Sequence, residues 1–102
     1  MKRISELVAE AHRTAVDKGW YEHPPEFGTA VALMHSELSE ALEAYRKLEG
    51  EAMREAIAEE LADVCIRVFD TCGHMGLDLE SAIHRKMEKN RQRSYRHGGK
   101  KI

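Results

Sequence analysis

Apolar residues recur every three or four positions along nearly the whole chain, which is the spacing of one face of an α-helix. The chain has no alternating run of β-branched residues, and its only two prolines are adjacent, at Pro24 and Pro25. The sequence therefore predicts an all-α fold with a four-helix bundle-like protomer. The expected helices cover about residues 4–18, 29–48, 51 to 72 or 75, and 79–93.

The length and composition predict one folded domain. The chain has 102 residues, of which 42% are hydrophobic and 33% charged, as in soluble folded domains. We expect a single helical domain over residues 1–95 and a basic C-terminal tail over residues 96–102. The third helix is apolar on nearly every side, so we expect it at the centre of the fold or at an interface.

No window is long and apolar enough for a membrane helix, and the first residues become charged before a signal-peptide core can form. We therefore expect a cytoplasmic protein. Cys65 and Cys72 are seven residues apart in one predicted helix, about 10 Å along its axis, which is too far for a disulfide. Both cysteines are predicted to be reduced and to pack in the core. Tyr45, on the apolar stripe of the second helix, is also predicted to pack in the core.

The formal net charge of −2 conceals two regions of opposite sign. Residues 84–102 contain eight basic side chains and one acidic side chain, whereas the remainder is strongly acidic. This asymmetry is compatible with a nucleic-acid tail, a phosphate-binding arm or a self-complementary surface. The acidic body argues against simple DNA binding, and we do not expect nucleic acid as a partner.

Two acid pairs occupy neighbouring predicted helices. Glu37 and Glu40 are three residues apart, as are Glu60 and Asp63, so each pair projects from one helical face. A hairpin folded at Gly50 would bring the pairs together, because packed helix axes lie about 8–10 Å apart. Four converging carboxylates repel one another, and a hard divalent cation such as Mg²⁺ would relieve that repulsion.

Two simpler interpretations stay open on physical grounds alone. Glu37 and Glu40 could form an ordinary solvated helix face. Asp63 interrupts an apolar run and needs compensation, but Arg67, four residues later, could provide it through a local salt bridge. Other metal sites fit poorly, because the chain lacks Glu-x-x-His pairs, a calcium-binding loop and closely spaced Cys and His ligands.

The fourth predicted helix carries positive charge that could face phosphates. Lys86, Asn90 and Arg93 fall at helical spacing on one face. An ordinary basic surface helix would have the same pattern. The chain has no Walker-type glycine loop, so a nucleotide would have to be held by metal, side chains and stacking.

The two acid pairs, with nineteen residues between Glu40 and Glu60, resemble those of the MazG-like nucleotide pyrophosphohydrolases of the all-α NTP pyrophosphatase superfamily. One departure is Ser36, where some relatives carry an additional Glu. The resemblance extends through most of the chain, over residues 19–27 and the segments HSELSEALEAYR, EELADVCIRVFD and KMEKNRQRSYRHGGKKI.

This resemblance implies hydrolysis of an NTP or dNTP to the monophosphate and pyrophosphate, with Mg²⁺ required and Mn²⁺ as an alternative ion. It implies binding of phosphates or sugar by Lys86, Asn90 and Arg93. The metal ligands that it implies are Glu37, Glu40, Glu60 and Asp63.

For the reaction we expect water to attack the α phosphorus while Glu40 or Glu60 accepts its proton. The resemblance also implies a homodimer or homotetramer, and a chain this short would place its active sites between subunits. The alternative is a non-catalytic helical interaction module whose basic tail contacts nucleic acid or a protein partner. A phosphatase-like enzyme acting on another phosphorylated metabolite is a nearer alternative.

Overall fold

The computed structural model describes residues 1–93, and over that range it contains four α-helices and no β-strand. This confirms the predicted all-α class. The third helix ends at the later of its two expected positions, and every other helix boundary lies within two residues of the expected one. The predicted tail, residues 96–102, lies outside the described residues. No helix in the described part of the chain is long and apolar enough to cross a membrane. The helices are α1 (Ile4–Asp17), α2 (Phe27–Lys47), α3 (Gly50–Met75) and α4 (Leu79–Arg91).

Helix α3 is the centre of the protomer. It packs along α2 on one side and along α1 on the other, as its all-round apolar character predicts. Helix α4 packs sparsely against α1, where the backbone N–H of Ser5 donates to Oε1 of Glu80 at 3.1 Å. The four helices therefore form an open arrangement, since α4 does not close a compact bundle around α2 and α3.

Two glycines near the end of α3 have different roles. Gly76 ends the helix, in the left-handed conformation with φ of +67°. Gly73 lies inside α3, where a Cβ would come within 2.6 Å of the His12 Cβ on α1. The glycine is therefore a point of close helix approach. The next helix is capped by Asp78, whose side chain accepts a hydrogen bond from the Ser81 N–H at 3.1 Å.

The protomer buries little of its apolar surface. Ala41 and Cys72 are the only residues of the described range that count as buried, at 9% and 7% exposure. The radius of gyration is 16.2 Å, compared with about 13 Å for a compact chain of this length.

Two predictions of core positions are wrong for the isolated protomer. Cys65 is exposed although Cys72 is buried, and Tyr45 is 64% exposed. Both cysteines are free thiols, as expected. Their helices, α3 and α2, have no further helix packed over these faces in the described protomer, so side chains at helical core spacing remain open to solvent.

Candidate metal centre

The acid pairs meet across the α2–α3 hairpin. The helices are joined by a link of two residues, after which Gly50 begins α3 with φ of +63°. One carboxylate oxygen from each of Glu37, Glu60 and Asp63 lies within 4.8 Å of the other two. All three side chains are half-buried. The tertiary structure thus brings three of the four predicted ligands into one small volume.

Glu40, the fourth predicted ligand, lies outside this group of three and is exposed. It nevertheless interacts with Glu60. A proton shared with Glu40 raises the pKa of Glu60 to about 7, and partial desolvation and the negative charges of Glu40, Asp63 and Glu37 act in the same direction. Glu40 and Glu60 therefore form a pair of carboxylates that cannot easily both ionise without a nearby cation.

One atom of the cluster lacks any partner. Oε2 of Glu60 is buried and accepts no hydrogen bond within the described chain. A buried carboxylate oxygen without a donor is unfavourable, because its water contacts are lost and not replaced. A hard divalent cation prefers oxygen ligands of this type, so the residues present fit such an ion.

Arg67 pairs with α2 and not with its own helix. Its Nε donates to Oε1 of Glu37 at 3.0 Å. The local salt bridge between Asp63 and Arg67, which sequence reasoning left open as a complete explanation of Asp63, is not formed. Asp63 is consequently free to face Glu37 and Glu60.

The predicted phosphate-binding residues are not assembled with the acids in one protomer. Lys86, Asn90 and Arg93 are all exposed, and α4 packs against α1, whereas the carboxylates lie between α2 and α3. No hydrogen bond or ion pair within residues 1–93 joins these three side chains to the cluster. A role for them in this site would require a second copy of the chain or a movement of α4.

Most of the chain matches a known protein family. Residues 27–97 match the family model described as the MazG nucleotide pyrophosphohydrolase domain, and this range contains all four acids. The chain belongs to the MazG family. Searches of curated proteins and of solved structures found no significant match. Membership suggests nucleotide pyrophosphohydrolase activity and confirms the resemblance drawn from the acid pairs.

The MazG domain is joined to the preceding helix by a polar network that sequence reasoning missed. Asp70 of α3 interacts through Oδ1 with Nδ1 of His12 at 3.0 Å and accepts a hydrogen bond from the Tyr21 hydroxyl at 2.9 Å. The Tyr21 ring also lies 4.7 Å from the His74 ring, measured between centroids. Residues 4–17 and the connector are thereby tied to the MazG domain.

A signal for this network was present in the sequence. Polar residues continue along α3 at alternating spacings of three and four, which places them on one helical face. We call this face the polar seam. Its first half meets α2 at the acids, and its second half meets α1 and the connector. The seam consists of Glu60, Asp63, Arg67, Asp70 and His74.

Proposed function

We propose that this protein is a Mg²⁺-dependent nucleoside triphosphate pyrophosphohydrolase, which converts an NTP or dNTP and water to the monophosphate and pyrophosphate. The observation that carries the proposal is the convergence of Glu37, Glu60 and Asp63, with a buried unpartnered oxygen on Glu60, inside a MazG domain. Converging carboxylate oxygens of this kind are suitable ligands for a hard divalent cation.

Glu37, Glu60 and Asp63 would hold the ion, with Glu40 beside Glu60 as the fourth carboxylate. When bound, Mg²⁺ would supply charge neutralisation for the triphosphate and would make water a stronger nucleophile. The Glu40–Glu60 pair is the best candidate for accepting the proton of the attacking water. Glu40 is exposed and lies outside the group of three ligands, next to Glu60, so a carboxylate oxygen of this pair can remain available to accept a proton.

The phosphate contacts are proposed to come from α4. Lys86 and Asn90 lie on α4 and Arg93 lies two residues beyond its end, and all three are exposed. Cationic side chains stabilise charge on a pyrophosphate leaving group. Because α4 does not pack on the acids within the protomer, we propose that a second copy of the chain supplies these residues to the site. Active sites would then lie between subunits.

Self-association is supported by the exposed apolar surface. Leu38, Leu42 and Tyr45 fall on one face of α2 and are 45%, 58% and 64% exposed. Large exposed apolar side chains that share one helical face are typical of an interface. We propose a homodimer or homotetramer. In sedimentation velocity Leu42→Glu should shift the protein towards monomer, whereas Val16→Glu, at an exposed position on α1, should not.

The activity can be tested with a panel of NTPs and dNTPs in the presence of Mg²⁺. We expect pyrophosphate and the monophosphate as products, and no reaction in EDTA. Glu60→Gln should lower turnover on the order of 100-fold, while Glu59→Gln, the exposed neighbour on the same helix, should leave it intact. Orthophosphate as the primary product would contradict cleavage between the α and β phosphates. Absence of any Mg²⁺-dependent thermal shift would favour the interaction module.

A further inference from the structure

Arg67 forms its ion pair with a residue of another helix, although two acids on its own helix are suitably spaced for pairing. Asp63 precedes it by four residues and Asp70 follows it by three, so both acids are at local pairing distance on α3. An acid four residues before a base is the favourable order for a helical ion pair. Arg67 instead reaches across to Glu37 on α2. The cross-helix pair is therefore favoured over a local one.

The reason lies in the burial of Glu37. Its side chain is only 13% exposed, so an unpaired negative charge there would be strongly unfavourable. Within the described residues Arg67 is the one cation at ion-pair distance from the four carboxylates. Glu60, in contrast, keeps a buried oxygen with no donor. One positive side chain thus compensates Glu37, and in this part of the chain the charges of the other acids in the cluster are not compensated.

We propose that Arg67 takes the place of the metal ion as the counter-ion of Glu37 when no metal is bound. It neutralises Glu37 in the metal-free protein, and on binding of the divalent cation and nucleotide it exchanges Glu37 for a phosphate oxygen. This inference rests on the proposed function. A guanidinium and a divalent cation on the same carboxylate repel each other, so the ion weakens the Arg67–Glu37 pair.

The side chain of Arg67 is suited to such an exchange. It is 35% exposed, so it has access to solvent and to a ligand above the cluster. Guanidinium groups match the geometry of phosphate oxygens through parallel N–H donors. Arg67 is already next to the carboxylates within one protomer, unlike the cationic residues of α4. It would give the site a phosphate contact that does not depend on a second subunit.

The first test uses Mn²⁺ alone, without nucleotide, on the full chain. Arg67→Gln should bind Mn²⁺ about tenfold more tightly than wild type, because a repelling charge is gone, as followed by electron paramagnetic resonance. The same variant should unfold at a lower temperature in EDTA but match wild type in saturating Mn²⁺. Arg67→Lys, which keeps the charge, should restore the wild-type Mn²⁺ affinity. Arg54→Gln, at an exposed position on the same helix, is the control for net charge.

Unchanged or weaker Mn²⁺ binding by Arg67→Gln would overturn the proposal. Equal destabilisation in EDTA and in Mn²⁺ would also overturn it, since that pattern indicates a purely structural ion pair. The second test measures inorganic tripolyphosphate binding to the Mn²⁺-loaded proteins, where Arg67→Gln should lose about tenfold in affinity. No loss would refute the phosphate contact. A wild-type protein that binds Mn²⁺ as described but releases no pyrophosphate would refute the proposed function and not the counter-ion role.

Discussion

The hydroxyl of Tyr21 donates a hydrogen bond of 2.9 Å to Oδ1 of Asp70, and so fixes the connector between α1 and α2 to the central helix. The same oxygen lies 3.0 Å from Nδ1 of His12. Asp70 therefore holds two elements that precede the MazG domain. Its position on the polar seam is seven residues, or about 10 Å along the helix, from Asp63 of the candidate metal centre.

Replacing Tyr21 by Phe should destabilise the protein. The substitution keeps the ring but removes a hydrogen bond to a half-buried carboxylate, for which we expect a loss of about 1–3 kcal/mol in the free energy of unfolding. Urea denaturation at fixed protein concentration measures this loss. The matched control is the same substitution in an Asp70→Asn background, where the loss should be smaller because the charged acceptor is gone. An equal loss in both backgrounds would contradict the importance of the Asp70 contact.

Alkaline pH should remove the contribution of Tyr21. Burial and the hydrogen bond to Asp70 raise the pKa of Tyr21 from 10.0 to about 12. Since the folded state retains the proton more strongly than the unfolded state, the stabilisation is present below pH 10 and is lost as pH rises towards 12. The difference in unfolding free energy between wild type and Tyr21→Phe should therefore shrink over this range. A constant difference would argue against the raised pKa.

The metal-free protein should become less stable, and its metal affinity higher, as pH rises from about 4.5 to about 7. The pKa of Glu60 is raised from 4.5 to about 7, mainly by the proton shared with Glu40. The native state thus binds a proton that the unfolded state has released, and this favourable contribution is lost between pH 4.5 and 7. A cation requires the ionised carboxylate, so Mn²⁺ should bind more tightly at about pH 8 than at about pH 6 and should release a proton.

Calorimetry in buffers of different ionisation enthalpy measures that proton release. Glu60→Gln should abolish the release and flatten the stability profile, whereas Glu59→Gln should behave as wild type. Mn²⁺ binding without proton release in wild type would contradict the assignment to Glu60.

Gly73→Ala should loosen the contact between α1 and α3. The added methyl group would lie 2.6 Å from the Cβ of His12 and 3.3 Å from the carbonyl oxygen of Val8. Overpacking of this kind costs about 1–3 kcal/mol, offset by a gain of up to about 1 kcal/mol in helix propensity. The matched control is Gly28→Ala on α2, where no atom lies within 4 Å of the added Cβ. Thermal unfolding should show a lower midpoint for Gly73→Ala and an unchanged or higher midpoint for Gly28→Ala.

The sequence by itself determined the helices and the acid pairs. Apolar spacing, the cap at Asp78 and the left-handed Gly76 are local features, so helix boundaries follow from nearby residues alone. The spacing of Glu37 from Glu40 and of Glu60 from Asp63 likewise fixes each pair to one helical face. Together with the resemblance to the MazG family, these patterns are enough to indicate the candidate site from the sequence.

Only the tertiary structure decided which side chains compensate one another. Arg67 could pair with Asp63 by sequence spacing, but the low exposure of Glu37, at 13%, makes the cross-helix pair the better one. The contact of Asp70 with His12 joins residues that are 58 positions apart, and no local pattern specifies it. Burial and distance across helices set the charge balance of the site, and both arise only when the helices pack.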